Sequence, residues 1–458
     1  MQRGPRRTQA SLGGEDLPLS TTISEPIPNP AGPSRRIETA TAVLTGLALF
    51  ALFFSIAVAQ IFLGMALLSL LLSRKPVHIP ARFGLALAGF LGWTLLSLAF
   101  SRDVWDGLPQ LRKLFVFLAF VVAYNAFTHP RQLWRITQGV VLGGAVSALY
   151  GLGQFVQAYG RITGQGLPFY ENYVLHQITG FMSHWMTFSG ELMMVLLLAA
   201  AGALFGGLLQ KLRLGAGLCA TVAGLAVLAA FTRGIWLGAF AGLVYLLGRS
   251  RPRRLLLLPV ALVVLYFLSP AWLQRRSQSI FDPTTFDPAA DTSKQSRVVM
   301  FWTGLNMIAA HPWLGVGPEQ VDAEFLRYKP AEMPLPRGWY GHLHNNYLQV
   351  AAERGIPCLL FLLWMIFEVL RSGLTLVRNT AAEARILGQS AIAITIGLLV
   401  SGLFEFNLGD SEVLMLYLFL MAVPFAWARL EREALPASLS PEAAAASLPG
   451  SSVLPQTP

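Results

Sequence analysis

Long apolar runs broken by short polar joints make up most of the chain. Twelve such runs stand out, at approximately 38–54, 57–73, 83–101, 114–128, 136–157, 186–209, 214–231, 234–248, 255–269, 355–370, 386–404 and 412–428. Each is near the roughly 20 residues that a helix needs to cross a bilayer core. Several fall short of that, and only Ser55 and its neighbours separate the first two. The runs are continuous and lack the alternation of barrel strands. Backbone groups in lipid must be satisfied within their own segment, so helices are the spanning element. The pattern predicts an all-α, polytopic integral membrane protein with about 12 transmembrane helices.

Between and around these runs lie three polar regions. Residues 1–36 and 434–458 are rich in Pro, Ser, Gly or Ala without periodicity and read as disordered tails. The first is too long and polar for a signal-peptide n-region. The third region separates helices 1–9, within 37–269, from helices 10–12, within 355–433. It is a long loop at 270–354 that carries its own helix signals. SRVVMFWTGLNMIAAHP has apolar residues near helical spacing at Val298, Trp302, Leu305 and Ile308. PEQVDAEFLRY opens on Pro318 and Glu319, as helix N-termini often do. A compact helical subdomain lying on the membrane is expected here. A shorter loop at about 158–185 is rich in aromatic and polar residues.

Composition narrows the class. Charged residues are 13% of the chain, against about 25% in ordinary soluble domains. Together with 54% hydrophobic residues, this excludes a disordered chain, a disulfide scaffold and a standard soluble enzyme. Cys219 and Cys358 both sit in apolar runs, so neither a disulfide framework nor a cysteine metal site is expected. The net charge of +10 bears on topology rather than on nucleic acid. With the N-terminal tail in the cytoplasm, 21 of the 34 basic residues fall in cytoplasmic segments, at least two in each. The positive-inside rule then puts both termini in the cytoplasm and the long loop outside.

Few residues in such a chain can carry chemistry. His342 and His344 lie in GWYGHLHNNYLQVAAERGIP, where a helix over 345–354 leads into the next span. His344 would then sit beside a helix N-terminus, whose positive end disfavours imidazolium. Neutral imidazole is the form a general base requires. The competing role is a capping histidine bonded to backbone. Two histidines at i and i+2 share no helix face and no third ligand accompanies them, so no metal is expected. Arg233 lies in a connection of a few residues between two apolar runs, and Arg297 opens the amphipathic loop helix. Guanidinium groups grip phosphate oxygens bidentately; snorkelling to lipid headgroups is the simpler role. Gly315, Gly317 and Pro318 mark a tight turn with loop packing as its expected role. Glu191, Glu368 and Glu405 are the intramembrane or boundary acids, and they form no evident chain of the kind that couples ions.

These pieces resemble the O-antigen ligase and O-antigen polymerase superfamily of bacterial envelope enzymes. The resemblance runs from Arg297 through Trp302 and HPWLGVGP to HLHNNYLQVAAERGI. It extends upstream to GRITG…GFMSHWMTFSGELM (160–193) and the Thr232–Arg233–Gly234 turn. His344, Asn345 and Gly355 follow the ligase spacing. Cys358 and Leu359 stand where the ligase branch has Gly–Thr, which bears on the choice between ligase and polymerase.

The resemblance implies a glycosyltransferase without metal or other cofactor, inverting in stereochemistry. It would transfer an O-antigen glycan from undecaprenyl diphosphate to the lipid A-core oligosaccharide, on the periplasmic face of the inner membrane. It implies His344 as the essential histidine, with Arg233 and Arg297 as the essential arginines binding the donor diphosphate. His342 and Asn345 are expected to support His344. Arg161, Lys294 and Arg337 are expected to attract phosphorylated sugars, and Trp302, Trp339 and Tyr340 either stack on sugars or pack at the interface. The partners expected are donor, acceptor and membrane lipids, with no nucleic acid. The alternatives are a polymerase using the same donor and, in a different class, a transporter of lipid-linked glycans.

Overall fold

The computed structural model describes residues 33–207, 210–256, 292–336 and 341–434. Among these, all regular structure is helical. The helices are α1 (Pro33–Leu52), α2 (Ile56–Leu72), α3 (Ala81–Ala99), α4 (Val104–Gly107), α5 (Pro109–Asn125), α6 (Pro130–Gly164), α7 (Phe169–Tyr173) and α8 (Trp185–Phe205). They continue with α9 (Gln210–Ala229), α10 (Arg233–Ser250), α11 (Thr292–Ala310), α12 (Val321–Tyr328), α13 (Asn346–Val377), α14 (Ala382–Ser401) and α15 (Ser411–Ala434). Eleven of the twelve apolar runs coincide with helices; the run at 255–269 lies, apart from its first two residues, outside the described residues. Among the described residues, seven helices are long and apolar enough to cross a membrane: α3, α6, α8, α9, α13, α14 and α15. The protein is a multi-pass membrane protein. The expected count of twelve is not reached among the described residues. In α1, Arg35, Arg36 and Glu38 fall in the first turns, and α10 is bounded by Arg233 and Arg249. The first helix also starts earlier than the sequence suggested, within the segment assigned to the tail, with Pro33 at its first position.

Burial separates inner from outer helices. In α15, 89% of the most apolar window is buried inside the protein, against 22% in α9. Helices α8, α14 and α15 form the centre, with α3, α5, α6, α9, α10 and α13 around them. On α10, Gly238 and Gly242 face backbone carbonyls of Gly397 and Ala393 on α14, so side chains there would hold the two helices apart.

The loop helices form a second, small core. Val299, Met300 and Met307 of α11 pack with Val321 and Phe325 of α12 and with Leu348 and Ala352 of α13. The residues whose spacing marked this helix only partly coincide with its packed face. Val298 and Trp302 are about half exposed, while Leu305 and Ile308 are partly buried. The helix is apolar on more than one side, so periodicity alone does not identify its packed face. Helix α12 starts at Val321, after Glu319 with φ +61° has interrupted the backbone expected to begin it.

One kink organises this region. α13 is broken at Gly355, with φ 82° and ψ 166°, a conformation open essentially to glycine alone. Pro357 follows two residues later. The HPWLGVG turn docks into the break. The backbone N–H groups of Val316 and Gly317 donate to the carbonyls of Ala352 (2.8 Å) and Glu353 (2.9 Å), and Ile356 N–H donates to Pro312 O (2.8 Å). A Cβ on Gly355 would overlap the Trp313 carbonyl, and one on Gly315 would overlap the Glu353 carbonyl. The Ser97 hydroxyl donates to Leu314 O at 2.6 Å and Trp93 Nε1 donates to Trp313 O at 2.9 Å, fastening α3 to the same turn. The expected packing role of this turn is therefore met, and the break leaves Asn346–Arg354 as a separate arm.

Candidate functional site

The arm begins with two asparagines. The Asn345 side chain caps it, accepting from the N–H groups of Tyr347 and Leu348, both at 2.9 Å. Its Nδ2 donates to Leu403 O at 3.0 Å. The next residue continues the link: Asn346 N–H donates to Gly402 O (2.7 Å), and its Oδ1 accepts from Leu408 N–H (3.1 Å). The pair clamps the segment after α14 against the start of the arm. That segment carries Glu405.

Glu405 is buried, and its two oxygens have different partners. Arg297 Nη2 donates to Oε1 at 2.8 Å, and His344 Nδ1 lies 3.3 Å from Oε2. A carboxylate only accepts, so His344 Nδ1 is the donor in this contact, which in a neutral ring leaves the lone pair on Nε2. His344 itself has φ +50°, a left-handed backbone that a non-glycine residue rarely adopts. The strain is retained where cap, clamp and carboxylate all converge on one residue. The ring of His342 lies 4.2 Å from that of His344, centroid to centroid, and His344 N–H donates to His342 Nδ1 at 3.4 Å.

Arg233 is the first residue of α10 and is exposed. Its neighbour Gly234 brings it to the same place: a Cβ on Gly234 would stand 3.1 Å from Glu405 Cγ and 3.0 Å from Phe404 Cβ. Phe231, two residues before Arg233, is also left-handed, with φ +51°. Among the described residues the Arg233 guanidinium makes no ion pair. The three residues expected from sequence thus gather around Glu405, two by direct contact and one through an adjoining backbone. Asn345 proves to be the cap and clamp of the arm, and His342 is the packed neighbour of His344. Arg161 lies elsewhere, on the last turns of α6, and Trp302 is exposed on α11. Arg337, Trp339 and Tyr340, and the side chain of Lys294, lie outside the described residues.

Three further groups complete the surroundings. His184 caps α8, its Nδ1 accepting from Met186 N–H at 3.2 Å. Burial lowers its pKa, with Glu405 opposing and His344 adding to the shift. Burial also pushes His342 down to about 4, helped by His344 and opposed by Glu405. Asp410 accepts from the Thr187 hydroxyl at 3.1 Å. Burial pushes its carboxyl up to about 6, against that hydrogen bond. The sequence offered no signal for His184 or Asp410 beyond their residue types. Glu405 was visible only as an acid at a boundary, since its partners lie 108 and 61 residues away. The arrangement can hold an anion between guanidinium groups while an oriented imidazole accepts a proton nearby.

Residues 216–363 match the family model for O-antigen ligase. The match supports the O-antigen ligase superfamily expected from the sequence. The match runs from the second turn of α9 to the first turns of α13 beyond the kink, and so contains Arg233, Arg297, His344 and Gly355. Glu405, His184 and Asp410 lie outside it. No curated protein matches the chain.

Proposed function

We propose that the protein is an O-antigen ligase, a glycosyltransferase moving a glycan from undecaprenyl diphosphate to the lipid A-core oligosaccharide. The reading rests on one observation: a single buried carboxylate joins Arg297 to His344, beside the turn that carries Arg233. The acceptor hydroxyl attacks the anomeric carbon while the bond from that carbon to the diphosphate oxygen breaks. The electron pair leaves with the diphosphate, and one displacement inverts the centre. The hydroxyl proton passes to Nε2 of His344 and then to solvent. Arg233 and Arg297 spread the charge growing on the departing diphosphate. Arg297 keeps further N–H donors for this beyond the one it gives to Glu405, since guanidinium has five. Glu405 fixes the imidazole tautomer and stabilises its charged form. Neither metal nor cofactor enters this scheme.

The arrangement of charge supports a periplasmic site in the inner membrane. The helix ends opposite the site carry Arg371, Arg378, Arg385, Arg429 and Arg432. The positive-inside rule assigns such ends, and with them both termini, to the cytoplasm. A polymerase using the same donor is the second reading, because Cys358 and Leu359, where the ligase branch has Gly–Thr, weaken the choice between the two.

The test is a purified protein in detergent with chelator, lipid-diphosphate glycan and lipid A-core, without nucleotide or ion gradient. Glycan appearing on the core supports the ligase. Glycan appearing only on a second lipid-linked repeat supports the polymerase. No transfer, with movement of the lipid-linked glycan across vesicles instead, would overturn both in favour of a transporter.

A further inference from the structure

α6 is 35 residues long. At 1.5 Å per residue it spans about 52 Å, against roughly 30 Å for a hydrocarbon core. The helix is longer than the core is thick, and its last turns, which carry Gln154, Gln157 and Arg161, lie at the same end of the bundle as the site. There Gln154, Gln157 and Arg161 face His176, Gln177 and Thr179 across a cavity of about 270 Å³. Among the described residues, no acidic one lines it. The side chains of Gln157, Arg161 and His176 make no hydrogen bond or ion pair among the described residues.

The walls are fixed by hydrogen bonds and tied to the proposed active centre. Gln154 Oε1 accepts from the N–H groups of Thr179 (3.2 Å) and Gly180 (2.9 Å), and its Nε2 donates to Gly180 O at 2.9 Å. The Tyr173 hydroxyl donates to Ala229 O at 2.7 Å, and Gln177 Nε2 donates to Ala230 O at 2.8 Å. Those carbonyls belong to the turn that runs on through Phe231 and Thr232 to Arg233. Ser189 adds a further tie, donating from Oγ to the Thr232 hydroxyl at 3.1 Å. The segment that forms one cavity wall is thus joined to the Arg233 turn by two hydrogen bonds, from Tyr173 and Gln177.

We infer that this cavity is a saccharide subsite for a sugar unit bearing a carboxylate or phosphate. The inference rests on the glycosyl-transfer reading and deepens it. Amide side chains pair with sugar hydroxyls as both donors and acceptors, while Arg161 and His176 supply positive or hydrogen-bonding character for an anionic substituent. An apolar lipid chain would leave this polar lining unsatisfied. The acidic sugar belongs either to the donor glycan or to the acceptor oligosaccharide.

The experiment compares wild type with Gln157→Ala and Arg161→Gln. Saturation-transfer NMR on the purified protein uses a glucuronate-containing tetrasaccharide and its carboxyl-reduced form as probes. Wild type is expected to bind the acidic probe in preference to the reduced one, and Arg161→Gln to lose that preference. In transfer assays, a KM raised about tenfold for uronate-bearing donor, with kcat within twofold, assigns the subsite to the donor. The same change for phosphorylated but not dephosphorylated core assigns it to the acceptor. Unchanged binding and unchanged KM values in both variants would overturn the subsite. If wild type binds the acidic probe yet transfers nothing, the glycosyl-transfer reading falls while the saccharide site stands.

Discussion

Two buried or half-buried glutamates sit at opposite ends of this helix bundle, and they are used differently. Glu431, at the end of α15, accepts only from neutral donors: Asn379 Nδ2 at 2.9 and 2.8 Å, and Trp427 Nε1 at 2.8 Å. Arg385 closes the same turn by donating to the carbonyls of Asn379 and Thr380. Glu405, at the other end, is shared between an arginine and a histidine. The backbone differs too. Of the four non-glycine residues with positive φ among those described, Phe231, Glu319 and His344 lie at the Glu405 end, and Arg74 alone lies at the other. A carboxylate saturated by fixed neutral donors fastens a turn. A carboxylate that orders a titratable ring on strained backbone prepares chemistry.

The largest expected effect is on His344→Ala, which should lower the transfer rate by about 10²–10⁴-fold, the range of a lost general base. Its thermal midpoint should stay close to wild type, as checked by initial rates and a melting curve on the same preparation. A rate near wild type would remove the contrast. Arg233→Lys comes next, with at least a roughly tenfold loss expected, because the charge remains while the bidentate fork is lost. At the far end, Glu431→Gln should do the reverse. It weakens the tie to Asn379 and Trp427, costs about 1–3 kcal/mol of stability, and leaves the rate alone. A loss of rate at unchanged stability in this variant would show that the two ends are not distinct in kind.

The smallest effect is on pH. His342 is depressed in the folded state from 6.5 to about 4, so the unfolded chain binds its proton first. Stability is therefore full above about pH 6.5 and falls as pH drops through that window. Asp410, raised from 3.8 to about 6, acts in the opposite direction and flattens part of the slope. His342→Gln should remove the acid-side loss, measured as melting midpoint against pH in detergent.

The sequence carried much of this, and unevenly. The apolar runs located the helices, because length and hydropathy are local. The position of His344 before a helical arm was legible for the same reason, while Asn345 as its cap came from the structure. Arg233 and Arg297 were legible only through family resemblance, since nothing in an isolated arginine distinguishes phosphate binding from snorkelling. Glu405 was not legible as a partner, because its contacts depend on how the segment after α14 is clamped by Asn345 and Asn346. The turn at Gly315 was read correctly as packing, but what it packs into, the break at Gly355, is a tertiary fact. Helical spacing located α11 but did not single out its packed face, because the helix offers two apolar faces.

The most direct test of the central claim is a double-mutant cycle on transfer rate with Glu405→Gln, His344→Ala and the combination. If the carboxylate acts by orienting that imidazole, Glu405→Gln alone slows transfer about 10- to 100-fold, and the double variant is no slower than His344→Ala. Losses that simply multiply, or a Glu405→Gln enzyme as fast as wild type, would contradict the account.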